Sequence, residues 1–393
     1  MTLYLNDLGI LSAVGGNGAE MLSRLLAGDR SGLIKTDEYS PGKPFYVGEI
    51  RADLPEIERK YSDYDCKNNR LLLAALSQIQ DGVDRIKRKY RADRIGVVIG
   101  TSTSGVRNTE LAIAAVAGGL EKPSGFHYKQ QQLAGGADFL AHLLGLKGPA
   151  YSVSTACSSS GRAFASARRL IELDVCDAVI VGGADSLCRF TVNGFAALES
   201  VSAGLCKPFG KHRDGINLSE AAALFILSRD EGTVRLGGIG ASSDAYHFSA
   251  PDPGGVAVVK AMQSALNEAG MAAEQIDYIN LHGTATPLND AMESAAVAEV
   301  FGRSVSASST KGMAGHALGA AGALELGLCW LLLNSDDDEG ALPPNVNDDA
   351  LDDSLPPLNL VRTGQVLGRR IEHCQSNSFA FGGNNISIVV SRV

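Results

Sequence analysis

The sequence predicts an α/β protein built from two related halves. Short apolar runs alternate with segments of helical periodicity, which is typical of βαβ units and of mostly parallel sheets covered by helices on both faces. Both halves repeat the order strand, polar or glycine-rich turn, helix, strand. No low-complexity segment or long linker separates them, so we expect two packed halves, residues 1–230 and residues 231–393.

Composition narrows the classes of function. The chain has 393 residues, of which 45% are hydrophobic and 20% are charged, as in an ordinary globular protein with a large core. The net charge of −9 argues against a nucleic-acid-binding protein, which would carry a basic surface. An acidic partner would therefore have to contact a local basic patch.

Cysteine usage and apolar runs indicate a cytoplasmic protein without a membrane span. The seven cysteines are odd in number and form no CxxC pair, so neither a disulfide framework nor a structural zinc site is expected. Residues 1–7 lack the basic and apolar regions of a signal peptide. The most apolar run, residues 324–333, is too short to cross a bilayer and contains Glu325.

Periodicity and turn residues define the elements of the first half. Strands are expected where short apolar runs end at glycines, and helices where apolar residues recur every turn. In chain order these are a strand within 2–15, a helix over 17–26, loops and short strands over 28–66, a helix over 70–89, a strand over 94–100, helices over 108–116 and 130–144, a strand from 151, a helix from 161, and a strand over 178–183.

The same criteria define the second half. In chain order they predict strands over 221–228 and 234–240, a helix over 253–269, a strand over 275–282, a helix over 289–301, a strand over 304–308, a glycine-containing loop over 311–316, a helix over 319–333, an acidic surface loop over 335–353, and a closing hairpin over 375–381 and 385–391.

Cys157 stands where the strand from Tyr151 joins the helix from Gly161. A thiol at a helix N-terminus faces unpaired backbone N–H groups and the positive end of the helix dipole, which favour the nucleophilic thiolate. Taken alone, however, a lone cysteine in an apolar context is more often a small buried hydrophobic residue. The rest of the sequence must decide between the two interpretations.

Three more turns at predicted strand ends carry polar residues, and sites in α/β sheets collect at such ends. Each has a structural alternative: a hydrogen-bonded histidine, a surface lysine, a core aromatic ring, or carboxylates that favour a helix N-terminus. A metal site formed by His282, Asp290 and His316 would lack any metal-ligand spacing, so no metal is expected. The residues concerned are His282 with Asp290 and Glu293, Lys311 with His316, and Phe381.

Taken together, the turns belong to an ordered set of motifs. These are Thr155-Ala-Cys-Ser-Ser-Ser-Gly161, Val181-Gly-Gly-Ala-Asp185, Lys207-Pro-Phe209, Arg213-Asp-Gly215, His282-Gly-Thr-Ala-Thr-Pro287, Lys311-Gly-Met-Ala-Gly-His316, Pro343-Pro344 with Asn347, and Phe379-Ala-Phe-Gly-Gly383. Over nearly the whole chain they resemble the β-ketoacyl-[acyl carrier protein] synthases, in the elongating group with a Cys-His-His site. The resemblance implies a thiolase-like fold of two pseudo-duplicated halves, with mixed, mostly parallel sheets layered with helices.

The resemblance also implies a decarboxylative Claisen condensation. Cys157 would carry an acyl chain taken from the phosphopantetheine of an acyl carrier protein, and no other cofactor is implied. His282 and His316 would donate hydrogen bonds to the thioester oxygen of malonyl-carrier as it loses CO2, and the carbanion would attack the acyl group. The backbone N–H groups of Cys157 and Phe381 would form the oxyanion hole, worth about 3 kcal/mol for each donor.

Other family positions have supporting roles. Lys311, Asp290 and Glu293 would form a charged group that orients the histidines, because a buried lysine needs acidic partners. Phe381 would gate the site, with Gly382 and Gly383 permitting its motion. Substrate contacts are expected from Thr284, Thr286, Phe379 and Val106, within the turn 103–106, and from residues 190–195.

An acyl carrier protein is the expected partner, together with a second subunit. That subunit is either another copy of the chain or a chain-length-factor-like protein. Because the carrier is acidic, its docking needs cations, and Lys207 and Arg70 match the family pattern best. Arg213 is either a docking residue or the partner of a nearby carboxylate. The docking candidates are Lys67, Arg70, Lys207 and Lys211.

Three departures from the family pattern concern the substrate range. Ser219-Glu220-Ala221 replaces Gly-Glu-Gly, Asn384 replaces a threonine, and Ala380 replaces the glycine before Phe381, which would stiffen the gate. The catalytic residues are intact. The changes suggest a branch outside housekeeping fatty-acid synthesis, such as a type II polyketide or aryl polyene system.

Two rival classes are weighed against this interpretation. A chain-length factor lacks the nucleophile, so the presence of Cys157 would make this chain the active half of a heterodimer. An acyl-CoA thiolase would need a second cysteine near the C-terminal glycine-rich loop. Cys374 lies near it, but in a predicted strand where a core role is expected. A cysteine hydrolase would not need His316 together with Lys311.

Overall fold

The computed structural model describes residues 1–347 and 350–393. Strands and helices alternate along most of the chain, as the sequence predicts. The strands are β1 Tyr4–Ser12, β2 Leu33–Thr36, β3 Phe45–Gly48, β4 Ile95–Gly100, β5 Ala150–Val153, β6 Ala178–Asp185, β7 Leu218–Ser219, β8 Ala221–Ser228, β9 Val234–Ser243, β10 Tyr278–Asn280, β11 Ser306–Ser308, β12 Asn359–Leu360, β13 His373–Ala380 and β14 Asn384–Arg392.

Helices cover both faces of the strands. They are α1 Gly18–Leu26, α2 Lys67–Gln78, α3 Gln80–Lys89, α4 Val106–Ala117, α5 Gly135–Leu144, α6 Ser159–Glu172, α7 Arg189–Ala197, α8 Val256–Ala269, α9 Pro287–Phe301, α10 Lys311–Ala314 and α11 Ala321–Leu333. Among the described residues, no helix has both the length and the apolar character needed to cross a membrane.

One large sheet runs through both halves, in the order β12-β11-β10-β13-β14-β9-β1-β8-β6-β4-β5. In each half the outer strands pair in parallel and the inner ones antiparallel, so the mixed sheet expected from the sequence is confirmed, with more antiparallel pairing than expected. The halves meet where Tyr4 of β1 pairs with Arg235 of β9. The duplicated order therefore produces two similar sheet edges at which strands end.

The core explains why the central strands are so apolar. Strands β4, β6 and β8 are buried along their whole length, which accounts for their continuous apolar sequences. Helix α6 packs against them, with the Phe164 ring edge-on to Phe225 at 5.2 Å between centroids. Helix α11 is buried on nearly every side and contacts the strands of both halves.

Three differences from the predicted elements have physical causes. The helix expected over 70–89 is divided at Ile79, whose backbone leaves the helical region. The loop expected over 311–316 contains the short helix α10, which ends at Gly315 with a φ of +73°. Helix α7 was not predicted because its sequence has weak helix formers, but the Glu110 carboxylate accepts hydrogen bonds from its first two N–H groups. Part of the acidic loop expected over 335–353, residues 348–349, lies outside the described residues.

Candidate active site

Cys157 occupies a tight turn between β5 and α6. The preceding residue, Ala156, has a φ of +52°, a left-handed conformation that costs an alanine free energy, and the Ser102 hydroxyl donates to its carbonyl at 3.2 Å. The turn presses on β4 so closely that a Cβ on Gly100 would come within 2.2 Å of the Ser160 nitrogen. The backbone thus fixes the thiol at the end of the buried strands.

Two histidines from the second half meet this thiol. His316 Nε2 lies 3.0 Å from Cys157 Sγ, and the His282 ring stands nearly perpendicular to the His316 ring, 5.4 Å away between centroids. His282 follows β10, whereas His316 follows α10 and is held by backbone hydrogen bonds to Asn217 and Ser219. The structure therefore brings together the three residues that the sequence motifs placed at separate strand ends.

Lys311 lies beneath the histidines and is paired with Glu325. Both side chains are only 2% exposed, their ammonium and carboxylate groups are in direct contact, and Lys311 Nζ is 3.4 Å from His282 Nδ1. Within the described chain, Lys311 forms no ion pair with Asp290 or Glu293, the carboxylates expected to be its acidic partners. The signal for the true partner was a single carboxylate, Glu325, in an otherwise apolar helix.

Asp290 and Glu293 instead hold the backbone around His282. The Glu293 carboxylate accepts the N–H groups of His282 at 2.7 Å and Gly283 at 2.6 Å. Asp290 accepts the N–H groups of Phe209 at 2.8 Å and Ala285 at 3.1 Å. Both carboxylates thus orient the histidine turn through its main chain.

Burial controls the protonation of the three central residues. It raises the pKa of the Cys157 thiol to about 12, although Lys311 and the Phe381 N–H both act to lower it. Burial thus opposes the thiolate that the helix N-terminus favours. Burial and the Lys311 charge hold the pKa values of His282 and His316 well below their usual range, so both imidazoles are neutral.

The stability of the fold should depend on Glu293 in a defined pH window. Burial raises its pKa to about 7 from 4.5, so between these values the native state binds more protons than the unfolded state, and the free energy of unfolding falls as pH rises. In Glu293→Gln this fall should be shallower, by at most about 1.4 kcal/mol per pH unit. Urea titrations from pH 4.5 to 7 measure it. An unchanged slope in Glu293→Gln, or an equal change in the exposed-site control Glu274→Gln, would contradict the assignment.

Phe381 forms the tip of the β13–β14 hairpin beside the thiol. Its backbone N–H lies near enough to the Cys157 sulfur to lower the pKa of the thiol, and its ring lies 5.5 Å from the ring of Phe195. Gly382 and Gly383, with φ values of +81° and +73°, complete the turn. The N–H group predicted for the oxyanion hole therefore lies beside Cys157.

A cleft of about 320 Å3 opens onto Cys157. Thr284, Thr286 and Phe379 line it, as do segments that the sequence did not single out, above all Asp244 and the loop 249–251. Among the described residues the lining does not include Val106, because the turn before α4 folds back onto the buried carboxylate of Asp185.

Two of the predicted docking cations are engaged within the chain. Lys67 pairs with the buried Glu220 at 2.6 Å and with Glu49 at 3.4 Å, while Arg70 makes two hydrogen bonds to Asp65, at 2.6 and 2.8 Å. The charges of Lys67 and Arg70 are therefore engaged in ion pairs within the fold.

Arg213 is structural for a similar reason. Its guanidinium is 7% exposed and bonds Asp352 at 2.5 Å. Lys211 is exposed and Lys207 half-buried, and within the described chain neither takes part in an ion pair. These two lysines are the docking candidates whose charges stay available.

The geometry of the site also shows whether its side chains are suited to hold a metal ion. Ligand atoms of Cys157, His282 and His316 lie within 4.8 Å of one another, which is close enough to hold an ion. Asp290 does not face the cluster, since its oxygens accept backbone hydrogen bonds. The Lys311 ammonium next to His282 would repel a cation, so the electrostatics favour an organic substrate.

Comparison with known proteins agrees with this geometry. The chain matches the family "Beta-ketoacyl synthase, N-terminal domain" over residues 48–232 and "Beta-ketoacyl synthase, C-terminal domain" over residues 234–349. It is 30% identical to the 3-oxoacyl-[acyl-carrier-protein] synthase 2 of Coxiella burnetii, covering 100% of this chain and 98% of that protein.

Solved structures show the same fold. A chain of the complex between the ketosynthase ApeO and its chain length factor ApeC from Xenorhabdus doucetiae superposes with a TM-score of 0.96 at 42% identity, over 100% of this chain and 98% of that one. A β-ketoacyl synthase from Burkholderia phymatum gives a TM-score of 0.86 at 26% identity, over 100% and 99%. The chain therefore belongs to the β-ketoacyl synthase family of condensing acyltransferases, which have the thiolase-like fold.

Proposed function

We propose that the chain elongates an acyl group held on Cys157 by decarboxylative condensation with malonyl-[acyl carrier protein]. The observation that carries this proposal is the convergence of one thiol, two neutral histidines and one hairpin N–H at the end of a cleft. These are a nucleophile and the uncharged hydrogen-bond donors that an enolate requires.

Loading of the acyl chain begins with the protonated thiol. As Cys157 Sγ attacks the thioester carbonyl, its proton passes to His316 Nε2, which is 3.0 Å away. The carrier's phosphopantetheine sulfur leaves as a thiolate and takes the proton from His316, which returns the imidazole to its neutral form. The N–H groups of Cys157 and Phe381 are the proposed donors to the oxyanion of the tetrahedral intermediate.

Condensation uses the same imidazoles as donors. Malonyl-carrier loses CO2, the electron pair forms an enolate, and N–H groups of His282 and His316 stabilise its oxygen. Lys311 donates towards Nδ1 of His282, so this imidazole carries its proton on Nε2. The enolate carbon then attacks the acyl-Cys157 carbonyl, and the Cys157 sulfur leaves as a thiolate, which takes up a proton from water to regenerate the thiol.

His316 is suited to both steps because its tautomer is not fixed. Its Nδ1 is buried and has no hydrogen-bond partner within the described chain. The proton can therefore reside on either nitrogen, so Nε2 can accept a proton during loading and donate a hydrogen bond during condensation.

The decisive experiment uses the wild-type protein with acyl-carriers of several chain lengths and malonyl-carrier. We expect an acyl adduct on the protein by intact mass, followed by CO2 release and a β-ketoacyl-carrier two carbons longer. Adduct formation without any elongated product would favour the thiolase or hydrolase alternatives. Cys374 does not support a thiolase, because it is buried in β13 and does not line the cleft.

We propose that the functional unit is a heterodimer with a chain-length-factor-like subunit, in a polyketide or aryl polyene pathway. Helix α4 leaves Leu111, Ile113 and Val116 more than half exposed, and β5 is an edge strand of the large sheet. The similar chain from Xenorhabdus doucetiae comes from a complex between a ketosynthase and its chain length factor. Co-expression with a chain-length-factor-like subunit should give a one-to-one complex, measured by native mass spectrometry. A stable homodimer that elongates acyl chains alone would contradict the heterodimer.

Carrier docking should depend on Lys207. Lys207→Glu places a negative charge against an acidic carrier, so loading from acyl-carrier should slow by about 3- to 10-fold, whereas loading from a small soluble thioester should be unchanged. The matched control is Lys87→Glu, at an exposed position of α3. Equal slowing with both donors would remove Lys207 from the docking surface.

Two further assignments complete the proposal. The division into residues 1–230, which carry the nucleophile, and residues 231–393, which carry the histidines, agrees with the topology of the two sheet halves. The seven cysteines are all free and buried, in keeping with the cytoplasm as the proposed location.

A further inference from the structure

Arg162 connects the nucleophile's helix to the base of the Phe381 hairpin. Its Nη2 donates to the carbonyl of Ser242 at 2.7 Å and to the carbonyl of Asn385 at 3.2 Å. Ser242 and Asn385 face each other across the β9–β14 ladder, next to the hairpin tip. One nitrogen atom therefore holds both members of a cross-strand pair.

The guanidinium of Arg162 lies where a positive charge is costly in free energy. Within the described chain no carboxylate lies within 4.0 Å of the guanidinium, and its Nε is buried without a hydrogen-bond partner. Burial lowers the pKa of Arg162 from its ordinary value, which reflects this cost. An apolar side chain would avoid the cost, so the benefit must lie in the two carbonyls that Arg162 binds.

The surrounding packing shows what these bonds control. A Cβ on Gly161 would lie 2.7 Å from the Ile386 side chain, so α6 and β14 touch directly. Beyond this contact the hairpin tip is held by loop hydrogen bonds, from the Asp244 N–H to Gly383 and from the Gly382 N–H to Phe248. Arg162 thus adds hydrogen bonds to this packing and ties the base of the hairpin to the helix that follows Cys157.

We propose that Arg162 is a positioning residue for the Phe381 N–H. Arg162 fixes the Ser242–Asn385 pair to α6, so only the tip of the hairpin, on the far side of Asn384, can move. The Phe381 N–H therefore returns to the same place beside Cys157. This role rests on the proposed function, because an oxyanion hole is needed only for acyl transfer.

The test separates oxyanion stabilisation from the reactivity of the thiol. In Arg162→Met, loading of Cys157 from acyl-carrier should slow by about tenfold or more. Alkylation by iodoacetamide, a displacement that forms no oxyanion, should stay within about twofold of wild type. Amide hydrogen exchange over residues 381–386 should be faster. Arg162→Lys should recover most of the loading rate, and Arg169→Met, at an exposed position of α6, should change neither reaction.

Either of two results would overturn the role of Arg162. One is wild-type loading and exchange in Arg162→Met. The other is a parallel loss of loading and alkylation with a lowered melting temperature, which indicates a purely structural arginine. If wild-type protein is never acylated, the proposed function fails, whereas unchanged exchange in Arg162→Met defeats the positioning role by itself.

Discussion

Cys157→Ala should never gain an acyl adduct. The thiol contacts His316, and no other cysteine lines the cleft in the described chain, so no second thiol is placed to take the acyl group. Loading should fall by at least about 10^4-fold, since loss of a nucleophile removes the covalent route entirely. Intact mass after incubation with acyl-carrier measures the result.

The matched control for this substitution is Cys206→Ala. Cys206 is equally buried and lies near Lys311, but it donates a hydrogen bond to the Lys311 carbonyl and does not line the cleft. It should load at close to the wild-type rate. An acyl adduct on Cys157→Ala, or its loss in Cys206→Ala alone, would refute the assignment of the nucleophile.

Lys311→Met should damage both stability and catalysis. Its partner Glu325 would be left as an unpaired buried acid, and breaking a buried ion pair in this way costs about 3–5 kcal/mol. His282 would also lose the donor that fixes its tautomer, so condensation should fall by about 100-fold or more. Urea titration and the rate of CO2 release from malonyl-carrier measure the two effects.

The double variant Lys311→Met/Glu325→Met separates the two effects. Replacing a buried ion pair by apolar side chains of similar volume is often neutral, so the free energy of unfolding should return towards the wild-type value. Condensation should stay low, because the ammonium next to His282 is still missing. Recovery of both quantities would mean that Lys311 serves the fold alone.

The sequence predicted that Cys157, His282 and His316 would meet, because each lies directly after a strand or turn motif. Parallel strands of one sheet end together, so residues at those ends meet without any knowledge of side-chain packing. The overall fold was accessible for the same reason, since strand and helix periodicity depends on local sequence.

Charge partners were predicted less well. Lys311 was expected to pair with Asp290 and Glu293, which are close to His282 in sequence, but it pairs with Glu325 on α11. Lys67 and Arg70 were expected to face a carrier, yet they pair with Glu220 and Asp65. Ion pairs depend on how distant elements pack, and a carboxylate on a helix that is apolar all round gives no periodic signal of its partner.

The central helix α11 also has a consequence for biosynthesis on the ribosome. Its leucines pack against β1 and β8 of the first half and against β14 of the second. The first half therefore exposes an apolar face throughout translation, until residue 333 has left the exit tunnel. Nascent chains of intermediate length should accordingly recruit chaperones, and a separately expressed residue 1–230 fragment should aggregate unless the remainder is supplied in trans.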